Sequence, residues 1–457
     1  MTGLMLNRFA DGNWSRMARP LLLPLLFASL AVLPGCGMFK GSRPKQQTAG
    51  ERIAVLDFEQ QVEAEAELQG LPVVLPAATV NAGWTQAAGS PSGAMGHLSL
   101  AENPSRVWSA SIGKGSDKTR RLNATPVVAD NRLFVMDTEG AVTAFDAANG
   151  QRLWRTQLPD EREAGRAAFG GGVSVQDSRV FLTTGLGTVA ALDPATGSVL
   201  WQIRRPTPLR AAPTVVGGRL FVTSQDSQLA ALSALDGSEL WQVNATIEPA
   251  AILGAGAPAV AMNTAVAGFA SGELFAMRVE NGRTVWQDQL ARTGRTTALG
   301  ALSGIAASPV IDNGRVFAIG HGGRMLALEL ATGQRVWERE FAGVHTPAVA
   351  GDWVFAVTVD AQLVALTRTD GKVRWVKQLD RWRNAKNRKG AIEWAGPLLA
   401  GGRLYVVSSR GVMAAVSPQT GEILATSKLA DDAYLPPIVA NRTLYMLTDD
   451  GTVTAYR

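Results

Sequence analysis

From residue 107 to the C-terminus, apolar and polar positions come in runs of four to six residues, rich in β-branched and aromatic side chains and bounded by Gly, Asn, Asp and Pro. This is the signature of short strands joined by tight turns, and no helical period interrupts it. The stretch ALDPATGSVLW, from Ala191 to Trp201, sets the frame. Counting from its alanine, glycine stands six residues on and tryptophan ten residues on. The same spacing recurs in Ala144/Gly150/Trp154, Ala231/Gly237/Trp241, Ala276/Gly282/Trp286, Ala327/Gly333/Trp337 and Ala365/Gly371/Trp375. A seventh copy keeps Ala415 and Gly421 but has Ala425 in place of tryptophan, and an eighth has Ala455 before the chain ends at Arg457.

Eighteen residues before these alanines stand Pro126, Pro213, Pro258, Pro309, Pro347, Pro397 and Pro437, with Val173 substituting in the second copy. The spacing therefore predicts a unit of four strands, A to D. Strand A follows the proline, strand B covers Arg132–Met136 or Arg219–Thr223, strand C covers residues 142–145, and strand D carries the tryptophan. Asp193-Pro194, Asn149-Gly150, Asp236-Gly237, Asn281-Gly282 and Asp370-Gly371 supply the C-to-D turn with residues suited to preset or positive φ. An indole buries about 150–250 Å², so alanine facing tryptophan is expected to leave room for each ring to pack over the alanine strand of the next unit.

Repeats of this period predict a propeller or solenoid rather than a string of separate domains. The last unit lacks a strand D, whereas residues 106–112, with Trp108, form a D strand with nothing before it. Joined, they complete an eighth blade and leave no free sheet edge. The expected fold is all-β, an eight-bladed propeller of four-stranded antiparallel blades over residues 107–457, about 44 residues per blade, with the last blade closed by an N-terminal strand. Trp108, Trp154, Trp201, Trp241, Trp286, Trp337 and Trp375 are its structural repeat.

The N-terminal quarter of the chain reads differently. Arg16 and Arg19 precede an apolar run at residues 21–33, too short to span a bilayer and suited to a signal peptide over residues 1–35, with Met1 or Met17 as its start. The run ends in Leu33-Pro34-Gly35-Cys36, which resembles the lipobox of bacterial lipoproteins. That resemblance makes Cys36 the lipidated first residue and, with Gly37 behind it, implies the outer membrane. Residues 36–106 are polar, rich in Pro and Gly and low in aromatics, and are expected to form a flexible tether with at most one short helix. Trp84 and residues 94–98 are the places where it could dock on the folded body.

Composition removes several function classes. The net charge of +5 falls to +3 once residues 1–35 leave with Arg8, Arg16, Arg19 and Asp11, which gives no basis for nucleic-acid binding without a clustered basic face. With Cys36 the sole cysteine, no intramolecular disulfide can form. His97, His321 and His345 lie too far apart for a local metal motif, Asp431-Asp432 and Asp449-Asp450 are isolated pairs, and no G-x-S-x-G nucleophile motif occurs. A basic insertion, residues 381–389 with Arg381, Trp382, Arg383, Lys386, Arg388 and Lys389, could meet an acidic partner or anionic headgroups, or simply be a solvated loop.

The motif A-x-D-x-x-T-G-x-x-x-W resembles the tryptophan-docking repeat of the pyrroloquinoline quinone enzymes, which implies an eight-bladed fold and raises a dehydrogenase as one reading. Those enzymes resemble one another in adjacent cysteines and a calcium-binding carboxylate site, for which this chain has no cysteine pair and no tight acidic cluster. The repeats, the lipobox and the missing quinone site together resemble the BamB family, the propeller lipoproteins of the outer-membrane β-barrel assembly complex. That resemblance implies a monomeric, non-enzymatic scaffold without cofactor or metal, docked on the periplasmic domains of BamA beside other subunits and lipid-anchored at the periplasmic face of the outer membrane. It also implies partner contacts from the loops entering the fourth and fifth blades, where Ile252 and Leu253 are the candidates. A propeller binding cell-wall polysaccharide, which would need an aromatic-rich surface, and a periplasmic ligand sensor, which would need a polar funnel, are the alternatives outside enzymology.

Overall fold

The computed structural model describes residues 62–158, 169–248, 256–291 and 304–457. They build eight four-stranded antiparallel sheets, each with strand order A-B-C-D, plus one separate two-stranded hairpin. The first blade comprises Val127–Ala129, Arg132–Met136, Val142–Asp146 and Arg152–Thr156, close to the strands expected from spacing alone. In the eighth sheet, Ile438–Ala440, Thr443–Leu447 and Thr452–Tyr456 are joined by Arg106–Ser111, which pairs antiparallel with the C-terminal strand. The architecture is the eight-bladed propeller of four-stranded antiparallel blades. Among the described residues the only helix is a 3-10 turn at Ala66–Leu68.

Burial follows the radial order. Strands B and C are sheathed on both faces by neighbouring blades and are almost wholly buried, whereas D strands such as Glu239–Asn244 alternate exposed and half-buried positions at the rim. A continuous apolar run is what a strand covered on both faces requires, and an alternating run suits one covered on a single face. The antiparallel path also sorts the turns. A-B and C-D turns lie on one face of the ring, B-C turns and the D-to-A connections on the other.

Why alanine and tryptophan keep one register is settled by the pairing. Ala144 stands opposite Phe134 on strand B and opposite Trp154 on strand D, and the same row recurs around the ring. The small side chain lets the two flanking rings meet over it, with centroids 5.8–6.2 Å apart in six blades, a separation favourable for aromatic pairs. This corrects the expected packing of each indole over the next blade's alanine strand. The ring instead covers the C-D turn of the next blade: each repeat tryptophan donates its indole N–H to a backbone carbonyl there, at 2.8–3.2 Å. The turn glycines sit at φ 70–78°, and a Cβ on any of them would come within 2.5–2.8 Å of the covering ring. Glycine is thus required twice, for the left-handed backbone and for the indole above it.

The exception at Ala425 has the same origin. Its strand belongs to the seventh blade, and the eighth blade has no C-D turn, because its C strand ends at Tyr456 and its D strand comes from residues 106–111. A tryptophan at 425 would have no turn to cover.

Candidate functional site

Among the described residues the polar side chains are spread over both faces of the ring. On the A-B face, strand A of each blade presents an edge with unpaired N–H and C=O groups toward the axis, groups that need partners once buried. Residues 76–98 supply them by running across that mouth of the ring. Asn81 accepts from the amide of Asn441 at 2.7 Å and donates its Nδ2 to the Val439 carbonyl at 2.6 Å in the eighth blade. Trp84 exchanges two 2.8 Å backbone bonds with Val128 of the first, and the Thr85 carbonyl accepts from Val175 of the second at 2.8 Å. The Gln86 amide brackets Val215 of the third with two bonds of 3.1 Å. Pro91 accepts from Val260 of the fourth at 2.7 Å and Ser92 from Ile311 of the fifth at 2.8 Å. Leu98 bonds Leu399 and Gly401 of the seventh, while Pro76 lies over Gly351 in the sixth.

This strap touches every blade. Its crossing is pinned by His97, whose Nδ1 bonds the Pro76 carbonyl at 2.8 Å while Nε2 accepts from the Gly402 amide at 2.8 Å, the arrangement of a neutral imidazole protonated on Nδ1. Upstream, the Glu65 amide donates to Val373 at 2.8 Å, Glu67 pairs with Lys372, and Val73 is held by both ends of the Gln419 amide. Trp84 and Leu98 are buried, as docking of those two positions required. For residues 62–105 the expected flexible tether is therefore corrected to a docked segment. Its polar composition argues for disorder only where no partner awaits the backbone, and here the strand edges do.

The opposite face holds a part-buried ion pair. Asp137, its side chain fully buried, accepts from the amides of Lys114, Glu139 and Ala141 at 2.9–3.1 Å and pairs with Arg155 at 2.6 Å. Arg155 also donates to the Ile112 carbonyl at 2.6 Å, tying the end of the N-terminal strand to the first blade. His321 lies in the B-C turn of the fifth blade, and His345 lies in the connection from the fifth blade to the sixth. His345 is only partly exposed, and burial pushes its imidazole down to about 4. A cleft lined by Arg210, Thr223, Ser227, Phe269, Gly304 and Ile305 holds about 10 Å³, room for a single water.

The basic insertion forms the separate hairpin, Trp382–Asn384 paired with Lys389–Ala391, on this same face. Arg381 at its base pairs with Asp360 at 2.6 Å and stacks on Trp382 at 5.4 Å. Arg383 reaches Asp432 at 2.8 Å and the Ser409 carbonyl.

Other sites expected from the sequence fall elsewhere. Cys36, Ile252 and Leu253 lie outside the described residues. Among the described residues no three His, Cys, Asp or Glu side chains converge as a metal site would need. The aromatic on strand B, and Asn81 and Gln86 of the strap, were not singled out from the sequence, whereas His97 lies in the 94–98 stretch where docking was expected. The first had a legible signal, since Phe134, Phe181, Phe221, Phe317, Phe355, Tyr405 and Tyr445 each stand ten residues before a repeat alanine.

Comparison with known proteins decides the family. A family model described as outer membrane protein assembly factor BamB matches residues 51–158, 138–377 and 380–457. The chain belongs to the BamB family. BamB of Salmonella typhimurium is 30% identical over 356 residues, covering 77% of this chain and 88% of the relative. BamB of Escherichia coli is 29% identical over 368 residues, covering 79% and 91%. Among solved structures, BamB from Moraxella catarrhalis matches with a TM-score of 0.67 at 20% identity, covering 78% of this chain and all of that one. The quinohemoprotein alcohol dehydrogenase of Comamonas testosteroni matches with a TM-score of 0.66 at 14% identity, covering 83% and 81%, which speaks for the fold alone. The residues present do not fit the calcium and quinone of such an enzyme: the chain's one cysteine is Cys36, and the described carboxylates do not cluster.

Proposed function

We propose that this BamB-family protein is a non-enzymatic scaffold lipoprotein of the outer-membrane β-barrel assembly complex. The observation that carries the reading is the match to assembly factors at about 30% identity over three-quarters of the chain. In this reading residues 1–35 are a signal peptide, Cys36 carries the lipid at the periplasmic face of the outer membrane, and residues 107–457 form the propeller. The ring is closed by the N-terminal strand, a view supported by the pairing of Arg106–Ser111 with the C-terminal strand. The protein docks as a monomer on the periplasmic domains of BamA, with Ile252 and Leu253 as contacts, and helps barrel proteins fold and insert.

Deleting the gene tests the role. The expected result is a fall in folded outer-membrane barrel proteins, restored by the intact chain and not by a Cys36→Ser chain. Normal barrel levels in the deletion strain would refute it. Saturable binding of pyrroloquinoline quinone with calcium-dependent dye reduction would instead revive the dehydrogenase reading.

A further inference from the structure

Two independent observations divide the faces of the ring. The mouth on the A-B face is filled by the chain's own residues 76–98, which take backbone hydrogen-bonding groups of the innermost strands. A partner approaching there would have to displace contacts with every blade. The B-C face carries the one described connection that folds into a hairpin of its own.

That hairpin is built to present charge. Its base is fixed by the ladder, by the Ile392 amide donating to the Arg381 carbonyl at 2.9 Å, and by Arg381 and Arg383 on Asp360 and Asp432. At its tip the side chains of Lys386, Arg388 and Lys389 are exposed and make no ion pair or hydrogen bond among the described residues. Three cations within four residues stand on a hairpin whose backbone is already paired, so meeting an anionic surface costs side-chain freedom but no folding of the connection. The tip offers no large apolar side chain, its other residues being Ala385 and Asn387, and Trp382 is occupied by Arg381. A membrane-inserting element would need the aromatic or aliphatic wedge that is missing here.

We propose that the hairpin at residues 382–391, on the B-C face, seats on an acidic protein surface of the assembly complex. This rests on the scaffold reading above. Electrostatic docking of this kind sets encounter rate and specificity and weakens with salt.

The test uses the full chain in detergent and the assembly complex purified from a strain lacking it. Three proteins are compared: the wild type, K386E/R388E/K389E, and R152E/R283E/R442E, which makes the same charge change with exposed residues at the strap's face. Matching thermal unfolding curves establish that all three are folded. The hairpin variant is expected to bind about tenfold or more weakly at low salt, with the gap closing as salt rises, while the other variant binds as the wild type does. Equal binding by the hairpin variant would overturn the proposal and leave the scaffold reading standing. Equal weakening by both variants would reduce it to a general charge effect and also overturn it. Vesicles of phosphatidylethanolamine and phosphatidylglycerol provide the other arm: loss of vesicle binding in the hairpin variant, with complex binding intact, would assign the tip to lipid and refute a protein partner. Failure of the wild type to bind the complex would remove both the scaffold reading and this inference.

Discussion

Trp286 shows at the level of one residue what holds the blades together. It is buried, donates to the Leu330 carbonyl at 2.8 Å and covers Gly333 of the next blade. Truncating such a side chain removes its contacts and leaves a cavity, at about 3–5 kcal/mol, so Trp286→Ala is expected to lower the denaturant midpoint by a corresponding margin. A different residue governs acid stability. The imidazole of His345 is held down to about 4 by burial, against a model-peptide value of 6.5. Between those two values the unfolded chain binds a proton that the folded chain refuses, so the contribution of this site is present above pH 6.5 and lost as pH falls toward 4. Denaturant midpoints followed from pH 7 to pH 4 should decline less steeply in His345→Gln than in the wild type. Parallel declines would mean that the imidazole is accommodated in its charged form.

The blade is the element that was most legible in the sequence, because its constraints act on side chains at fixed spacing. Alanine, glycine and tryptophan keep one register because each answers a contact repeated around the ring, and strand A starts right after the proline in six blades, the seventh differing because Pro397 lies inside Trp394–Ala400. The purpose of the alanine was not legible in the same way, since it depends on which strands are neighbours; the strand-B aromatic needed to explain it was visible at its own constant spacing. The strap was least legible. Trp84 and Leu98 mark it, but most of its bonds to the inner strands are made by main-chain atoms, which leave no residue signature. The gap at Ala425 offers a test of the blade argument. With no C-D turn in the eighth blade for an indole to cover, Ala425→Trp should change stability by less than about 0.5 kcal/mol, the usual range for exposed substitutions. A gain of 1 kcal/mol or more in an unfolding titration would show that tryptophan stabilises a blade without a turn beneath it.

At the scale of the whole molecule, a ring of eight blades with one mouth strapped shut by its own N-terminal segment presents its variable connections on the other face. Residues 159–168, 249–255 and 292–303 lie outside the described residues, and with them Ile252 and Leu253, the contacts proposed above. Repeats report on what every blade must do, whereas recognition depends on what one connection does alone. A propeller that works as a docked scaffold must travel with its partner. Affinity purification of the lipidated chain from its native membranes, with its companions identified by mass, tests it most directly. Recovery of BamA in stoichiometric amounts is the expected result, and recovery of the chain free of any assembly component would rule out a scaffold of this complex.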